Sequence, residues 1–311
     1  MKRFITYAFY PILLFSHIIG AYLAISLDWN LGITYSWIAG VRLALCVIVE
    51  FSFPMKKAWK MSWRSFFRDL KYVGVGLLSF RLIDFILGLI LINASEGNPG
   101  LLEDSTILGG FLLTALFFEF FQYWYHRLSH EMPGKLGAFL WKSHAAHHLP
   151  EEVYLLMHAV FHPINAFFTF FIIQGTLWLM GARQESIFIL NLLMSLQGLI
   201  SHFNVEIKAG PLNYIFIGTE LHRNHHSANI EEARNYGAFL TFWDLIFGTF
   251  SYNPNKAPER LGVAEPELYP KSTEILKVLA LPFIPSKKEI NQLNISQEIN
   301  PYLEEKEQNL S

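Results

Sequence analysis

Only one cysteine, Cys46, occurs in the 311 residues. That excludes an intrachain disulfide and any zinc or iron–sulfur site built from several thiolates. Cys46 lies in an apolar run and reads as inert packing. Charge is scarce as well: Asp, Glu, Lys and Arg make up 16%, against about 25% in soluble domains. The formal net charge is −2, which gives no sign of a nucleic-acid partner. No glycine-rich nucleotide fingerprint occurs, and nothing repeats except one short histidine pattern described below.

What is abundant is apolar surface. Hydrophobic residues reach 52% and phenylalanine alone contributes 28, the composition of an integral membrane protein with a polar portion. Residues 4–26 follow Lys2 and Arg3 and are almost wholly apolar. The run is too long for a signal-peptide core and no small-residue cleavage site closes it, so it is expected to be a first transmembrane helix. Residues 33–53, with Arg42 and Glu50, form a second. Residues 72–93, with Arg81 and Asp84, form a third. Ionisable groups inside a span usually face the protein interior and pair there, and Arg81 and Asp84 share a helix face that allows it. Residues 106–125 form a fourth span that runs into His126. Residues 153–180 and 186–203 read as a helical hairpin, spanning or partly re-entrant.

The other segments are shorter. Trp59, Trp63, Phe66 and Phe67 punctuate a basic loop and suit a helix lying in the interface. Residues 235–250 are apolar but too short to span, and are expected to form an interfacial or buried helix against the site, with Asn235 and Asp244 supporting its ligands. From 251 the chain turns polar and proline-rich, with one short helix expected over 272–284 and a disordered tail of about 25 residues. The expected fold is therefore all-α: a polytopic membrane helical bundle of about four spans plus a helical hairpin, capped by a cytoplasmic histidine-rich helical layer. The expected division is a transmembrane region over 1–105, a catalytic domain over 106–250 and a cytoplasmic tail over 251–311.

Histidine carries the chemistry. Of the 12 histidines, eight fall in tight groups: His126 and His130; His144, His147 and His148; His222, His225 and His226. Residues three and four apart share a helix face, so each group aims several imidazoles at one point. A tetrahedral zinc takes about four protein ligands, or three and a water. Eight clustered imidazoles are too many for one such ion, and two metals of roughly four imidazoles each is the simplest count. His158, His162 and His202 return to the same depth through the hairpin and are auxiliary candidates, either ligands or their partners. His17, alone in the first span, is not expected to be a ligand. Glu119 lies upstream of His126 and is a candidate to hydrogen-bond a ligand. Arg127, Lys142 and Arg223 flank the groups and read as solvated charges, or as contacts for an acidic redox partner or lipid headgroups.

Charge also predicts topology. The 54–71 segment holds Lys56, Lys57, Lys60, Arg64, Arg68 and Lys71 against Asp69, whereas 94–106 holds Glu96, Glu103 and Asp104 with no Lys or Arg. The positive-inside rule puts the first segment in the cytoplasm and the second outside. Counting spans from there delivers all three histidine groups, and the C-terminus, to the cytoplasmic face.

HRLSH at 126–130, HAAHH at 144–148 and HRNHH at 222–226, with WYHRLSH, SHFNVEIKAGPLNYIFIGTELHRNHHS and NYGAFLTFWDLIFGT around them, resemble the fatty acid hydroxylase/sterol desaturase superfamily over about residues 110–250. The resemblance implies a membrane-bound non-haem dimetal oxidoreductase, with the eight box histidines as catalytic metal ligands. It also implies two iron ions, O2 as co-substrate and a lipid from the bilayer that is hydroxylated or desaturated. Imidazole suits zinc, copper, iron and nickel alike, so the choice of iron rests on the resemblance, and zinc could occupy purified protein. No fused electron-transfer domain is visible, so electrons are expected from a separate NAD(P)H-linked partner, cytochrome b5-like, ferredoxin-like or a reductase. Some members carry a further H-x-x-x-H before the last box. Here His202 stands at its second position and Gly198 at its first. The competing readings are a membrane metal-transport or storage protein and a non-catalytic member of the fold. Sterol, acyl, ether and amino lipids all remain open as substrates, and the bacterial inner or plasma membrane and the endoplasmic reticulum as hosts.

Overall fold

The computed structural model describes residues 1–94, 100–254 and 256–285. The expected tail beyond 285, and Glu96 of the acidic segment, lie outside the described residues. The described chain is helical, and within it only isolated β-bridges occur, such as Pro54 with Val205 and Phe216 with Leu240.

Helix α1 (Lys2–Ser26) has a π-helical turn at Ile5–Phe9, just ahead of Pro11, whose missing N–H interrupts the regular ladder. Asn30 caps α2 (Leu31–Ser52), its Oδ1 accepting the Ile33 N–H at 2.9 Å. Ser62 and Ser65 cap α3 (Trp63–Ala94) reciprocally, each hydroxyl taking the other's N–H at 3.1 and 2.8 Å. Thr106 caps α4 (Ile107–Glu131) through Gly109 N–H at 3.1 Å. Helix α5 (Gly134–His148) turns back against the end of α4. Pro163 opens α6 (Pro163–Met180), and Gly181 ends it in the left-handed conformation, φ 54°. Helix α7 (Gln184–Ser201) follows at once, and then the short α8 (Thr219–His225), α9 (Phe242–Ile246) and α10 (Ile275–Ala280).

Five segments are long and apolar enough to cross a bilayer: Lys2–Ser26, Leu31–Ser52, Trp63–Leu89, Ile107–Glu131 and Pro163–Met180. Their outer faces expose Ile12, Phe15, Trp37, Leu78 and Phe85, as lipid contact requires. Helix α7 differs. It packs against α1, α2 and α4, and Leu192, Leu196 and Ile200 are fully buried. It is the central post of the bundle, and its end carries His202 toward the other histidines.

Both ends of the bundle are tied by backbone contacts. At one end Met55 N–H donates to Asn204 O at 2.8 Å, and Arg68 pairs with Glu152 at 2.9 Å. At the other, Leu101 and Leu102 N–H groups donate to Leu179 O at 3.1 Å and Met180 O at 2.7 Å. The basic 54–71 segment therefore shares an end with the histidines, and the 100–104 segment lies at the opposite end.

Four expectations change in detail. The aromatic 59–67 stretch is not a separate interfacial helix: residues 63–67 are the first turns of α3, continuous with the third span. The first limb of the hairpin begins only at Pro163, because 153–162 form a loop around the 3-10 turn Leu155–Ala159. Over 235–250 only Phe242–Ile246 is helical, since the chain there is pinned by side-chain carboxylates instead of its own ladder. Arg81 and Asp84 are both exposed, and among the described residues they form no ion pair with each other.

Candidate metal centre

The histidines arrive from four helix ends. His126 and His130 sit in the last turns of α4; His144, His147 and His148 end α5; His222 and His225 belong to α8, and His226 follows its last residue. His202 caps the end of α7. These nine sort into two groups. His126, His130, His144, His148 and His225 form one; His147, His202, His222 and His226 form the other. Within each group the ligand nitrogens lie within 4.8 Å of one another. The sequence boxes are thus interleaved: the 144–148 box and the 222–226 box each send histidines to both groups.

The nitrogens that face one another are Nε2. His126 and His148 Nε2 each lie 3.0 Å from His144 Nε2. In the second group His202 Nε2 lies 3.0 Å from His147, 3.0 Å from His222 and 3.2 Å from His226. One neutral ring has a single N–H, so His202 cannot satisfy three such neighbours by hydrogen bonding. Nε2 of His130 and of His225 is buried with no partner at all. Convergent lone pairs of this kind fit a cation.

The opposite face of five of the rings is anchored. Nδ1 of His126 contacts Tyr236 O at 2.8 Å, that of His147 Val160 O at 3.0 Å, and that of His225 Arg234 O at 3.1 Å. His144 Nδ1 meets Asn165 Oδ1 at 3.1 Å, which also accepts the Tyr125 hydroxyl at 2.8 Å. His202 Nδ1 meets Ser201 Oγ at 2.8 Å, and that hydroxyl donates onward to Gly198 O. A carbonyl accepts only from N–H, so the proton sits on Nδ1 and Nε2 keeps its lone pair. Burial pushes the pKa of His144, His148, His202, His222, His225 and His226 well below the ordinary value, and neighbouring imidazoles push it further. His147 is driven down to about 3, chiefly by burial. All are neutral at physiological pH, the form that binds metal.

Two carboxylates act one step back. Glu119 does not bond a histidine. It accepts the N–H groups of Ala238 at 2.6 Å and Phe239 at 3.1 Å. Asp244 accepts those of Tyr236 and Gly237, each at 2.8 Å, and the Thr249 hydroxyl at 2.6 Å. Together they hold the 236–239 strip that places Tyr236 O against His126. Gly237 is required there, since a Cβ would stand 2.3 Å from Leu240 O. Asn235 works through its backbone twist, φ 65°, and two bonds to Ser251, each 2.8 Å.

The remaining sequence candidates fall outside both groups. His162 caps α6: its Nδ1 accepts Ile164 N–H at 3.1 Å and its Nε2 donates to Leu279 O at 3.0 Å, so both nitrogens are committed. His158 lines the cavity beside the site, with its ring centroid 5.2 Å from that of His202. A Cβ on Gly198 would stand 3.3 Å from its Cε1, so glycine there makes room for that ring. His17 lies apart in α1. Arg223 is not a solvated charge. It is buried and donates to Phe203 O at 3.0 Å and Val205 O at 2.9 Å. Lys142 is also buried, reaching Ile284 O at 3.0 Å, and Arg127 pairs with Glu131 at 2.6 Å. Asn165 and the carbonyls of Val160, Arg234 and Tyr236 are supports that no local pattern reveals, because each meets its histidine through tertiary contact.

A cavity of about 650 Å³ lies near the 58–71 segment and is lined by polar groups such as Arg64, Glu151 and Lys271. The cavity that reaches the histidines is another, of about 540 Å³. His126, His144, His147, His202 and His222 line one part of it, and Phe80, Phe170 and Ile173 line the rest between the spans.

Residues 111–249 match the family model described as fatty acid hydroxylase. That stretch holds all three histidine boxes, so the boxes lie within a fatty acid hydroxylase domain match. The chain is 28% identical to an ornithine lipid hydroxylase of Rhizobium tropici over 267 residues, covering 82% of this chain and 78% of the relative. It is 32% identical to the alkylglycerol monooxygenase of Homo sapiens over 142 residues, covering 44% of this chain but 30% of that enzyme. The Danio rerio alkylglycerol monooxygenase is 31% identical over 138 residues, covering 43% and 29%. No solved structure matches.

Proposed function

We propose that this protein is a membrane-embedded diiron oxidoreductase that hydroxylates a C–H bond of a bilayer lipid. One observation carries the reading: two groups of convergent, neutral imidazoles stand at the end of a cavity that opens between membrane-spanning helices. The residues proposed to hold the metals are His126, His130, His144, His148 and His225 for one ion, and His147, His202, His222 and His226 for the other. Iron suits such nitrogen donors, and with O2 it supplies an oxidising power that no side chain has.

The protein's own residues do the rest. Nδ1 anchors hold His126, His144, His147, His202 and His225 in place, so these rings need little reorganisation. The apolar wall takes the lipid chain and keeps water from it. His158 stands in that wall without joining either group. The ornithine lipid hydroxylase and alkylglycerol monooxygenase relatives make an aminolipid and an ether lipid the first substrates to try. Single hydroxylation is favoured over desaturation because both relatives are named for oxygen insertion.

The histidine face is proposed to be cytoplasmic. The basic 54–71 segment lies at the same end as the histidines, which supports this orientation. Electrons then come from a separate cytoplasmic redox protein. Residues 1–105 serve as membrane scaffold, 106–250 as the catalytic unit and 251–285 as a cover. The test is lipid mass spectrometry of cells expressing the wild type or His147→Ala. The wild type alone should convert one lipid class to a product one oxygen heavier. Identical lipid profiles would contradict the reading.

A further inference from the structure

Arg42 lies in the wall of the histidine-lined cavity, near the middle of α2, and is only 7% exposed. Its Nη1 donates to Ser195 Oγ at 2.8 Å, and Ser195 donates on to Leu192 O at 3.0 Å. Ser195 stands two turns before His202 on α7, roughly 10 Å along the axis at 1.5 Å per residue. The guanidinium therefore sits deeper in the membrane than the metal groups, yet faces the same space.

It has no counterion. Among the described residues no carboxylate pairs with it, and besides Ser195 its side-chain hydrogen-bonding neighbour is Tyr35. Glu50, the other buried ionisable residue of α2, accepts Leu155 and Asn204 N–H groups at the far end of the helix instead. Arg42 Nε is buried with no acceptor. A guanidinium carries five N–H donors in a rigid fork, and a charge in a membrane span is retained only where something compensates it. Tyr35, Gln122, Asn191 and Ser195 line the cavity with it, and Phe80, Phe170, Ile173 and Leu199 supply an apolar wall. The missing acceptor belongs in the cavity.

We propose that Arg42 binds an oxygen acceptor carried by the lipid itself, a carboxylate or an ester or amide carbonyl. By holding that oxygen, Arg42 fixes which carbon lies against the histidines, as a positioning residue for regiochemistry. The assignment rests on the reading of this cavity as the lipid site.

The test uses the full-length protein in detergent and three probes of one chain length: a saturated fatty acid, its methyl ester and the alkane. Each competes against a fluorescent fatty acid. In the wild type the acid or the ester should bind at least about tenfold more tightly than the alkane, the worth of one hydrogen bond to a charged group. Arg42→Met should erase that ratio while leaving alkane affinity unchanged. Ser195→Ala removes one of the guanidinium's protein partners and should keep or raise the ratio. Arg42→Lys keeps the charge without the fork, should keep a reduced ratio, and serves if the methionine variant does not fold. Tighter binding of the acid identifies a free carboxylate, and tighter binding of the ester an acyl carbonyl; either supports the proposal. A wild type with no preference, or an Arg42→Met variant that keeps one, overturns the Arg42 assignment alone. Binding of none of the probes by the wild type overturns the lipid reading of the cavity and this assignment with it.

Discussion

The two ends of the cavity are built differently. At the histidine end, imidazole nitrogens are in surplus. Rings from four helix ends converge, and five of them are fixed on their outer side by a carbonyl, an amide or a hydroxyl oxygen. At the membrane end a single guanidinium meets Ser195 and Tyr35 and leaves its Nε donor unused. The first arrangement fixes geometry for an ion that must sit in one place. The second leaves room for a ligand that comes and goes. On the proposed function, rigidity is concentrated where bonds would be broken, and openness where substrates would be told apart.

Removing a metal-facing ring should break the contrast most severely. His147→Ala or His222→Ala should abolish lipid oxidation and strip metal from the second group, as read by product formation and elemental analysis. Next come the supports. Glu119→Gln weakens the hold on the Ala238 and Phe239 N–H groups and loosens the carbonyl behind His126. Loss of such outer contacts typically costs 10–100-fold in metal affinity or activity, and a metal-competition titration should show it. Asn165→Leu should fall in the same range through His144. His162→Ala sharpens the comparison from the other side: it removes a helix cap, so stability should drop by about 1 kcal/mol. Metal content should not change, which denaturation and elemental analysis can read together. Arg127→Ala breaks one surface ion pair with Glu131 and should shift stability by less than about 1 kcal/mol.

Much of this was legible in the sequence, for local reasons. Apolar run lengths gave the spans, and four-residue spacing put His126 with His130, and His222 with His226, on shared faces. That logic fails where helices meet. His144 and His148 turn to one group and His147 to the other, although all three lie on one helix end, because neighbouring residues point about 100° apart. His202 joins the second group only because α7 runs through the middle of the bundle. His162 shares the spacing of a ligand pair with His158, yet Pro163 makes it a cap. Arg223 sits inside a histidine box and reads as exposed, but two backbone carbonyls draw it inward. Arg42 was visible as a charge in a span, while its lack of a paired carboxylate among the described residues is a fact of three dimensions.

The central claim is that these nine histidines make two separate metal sites. The most direct measurement is metal per chain, by elemental mass spectrometry, on detergent-purified protein reconstituted with iron and freed of excess. The account predicts about two irons per chain for the wild type, a loss confined to one site in His202→Ala, and a loss confined to the other in His130→Ala. A well-folded wild type that holds a single ion, or none, would contradict it.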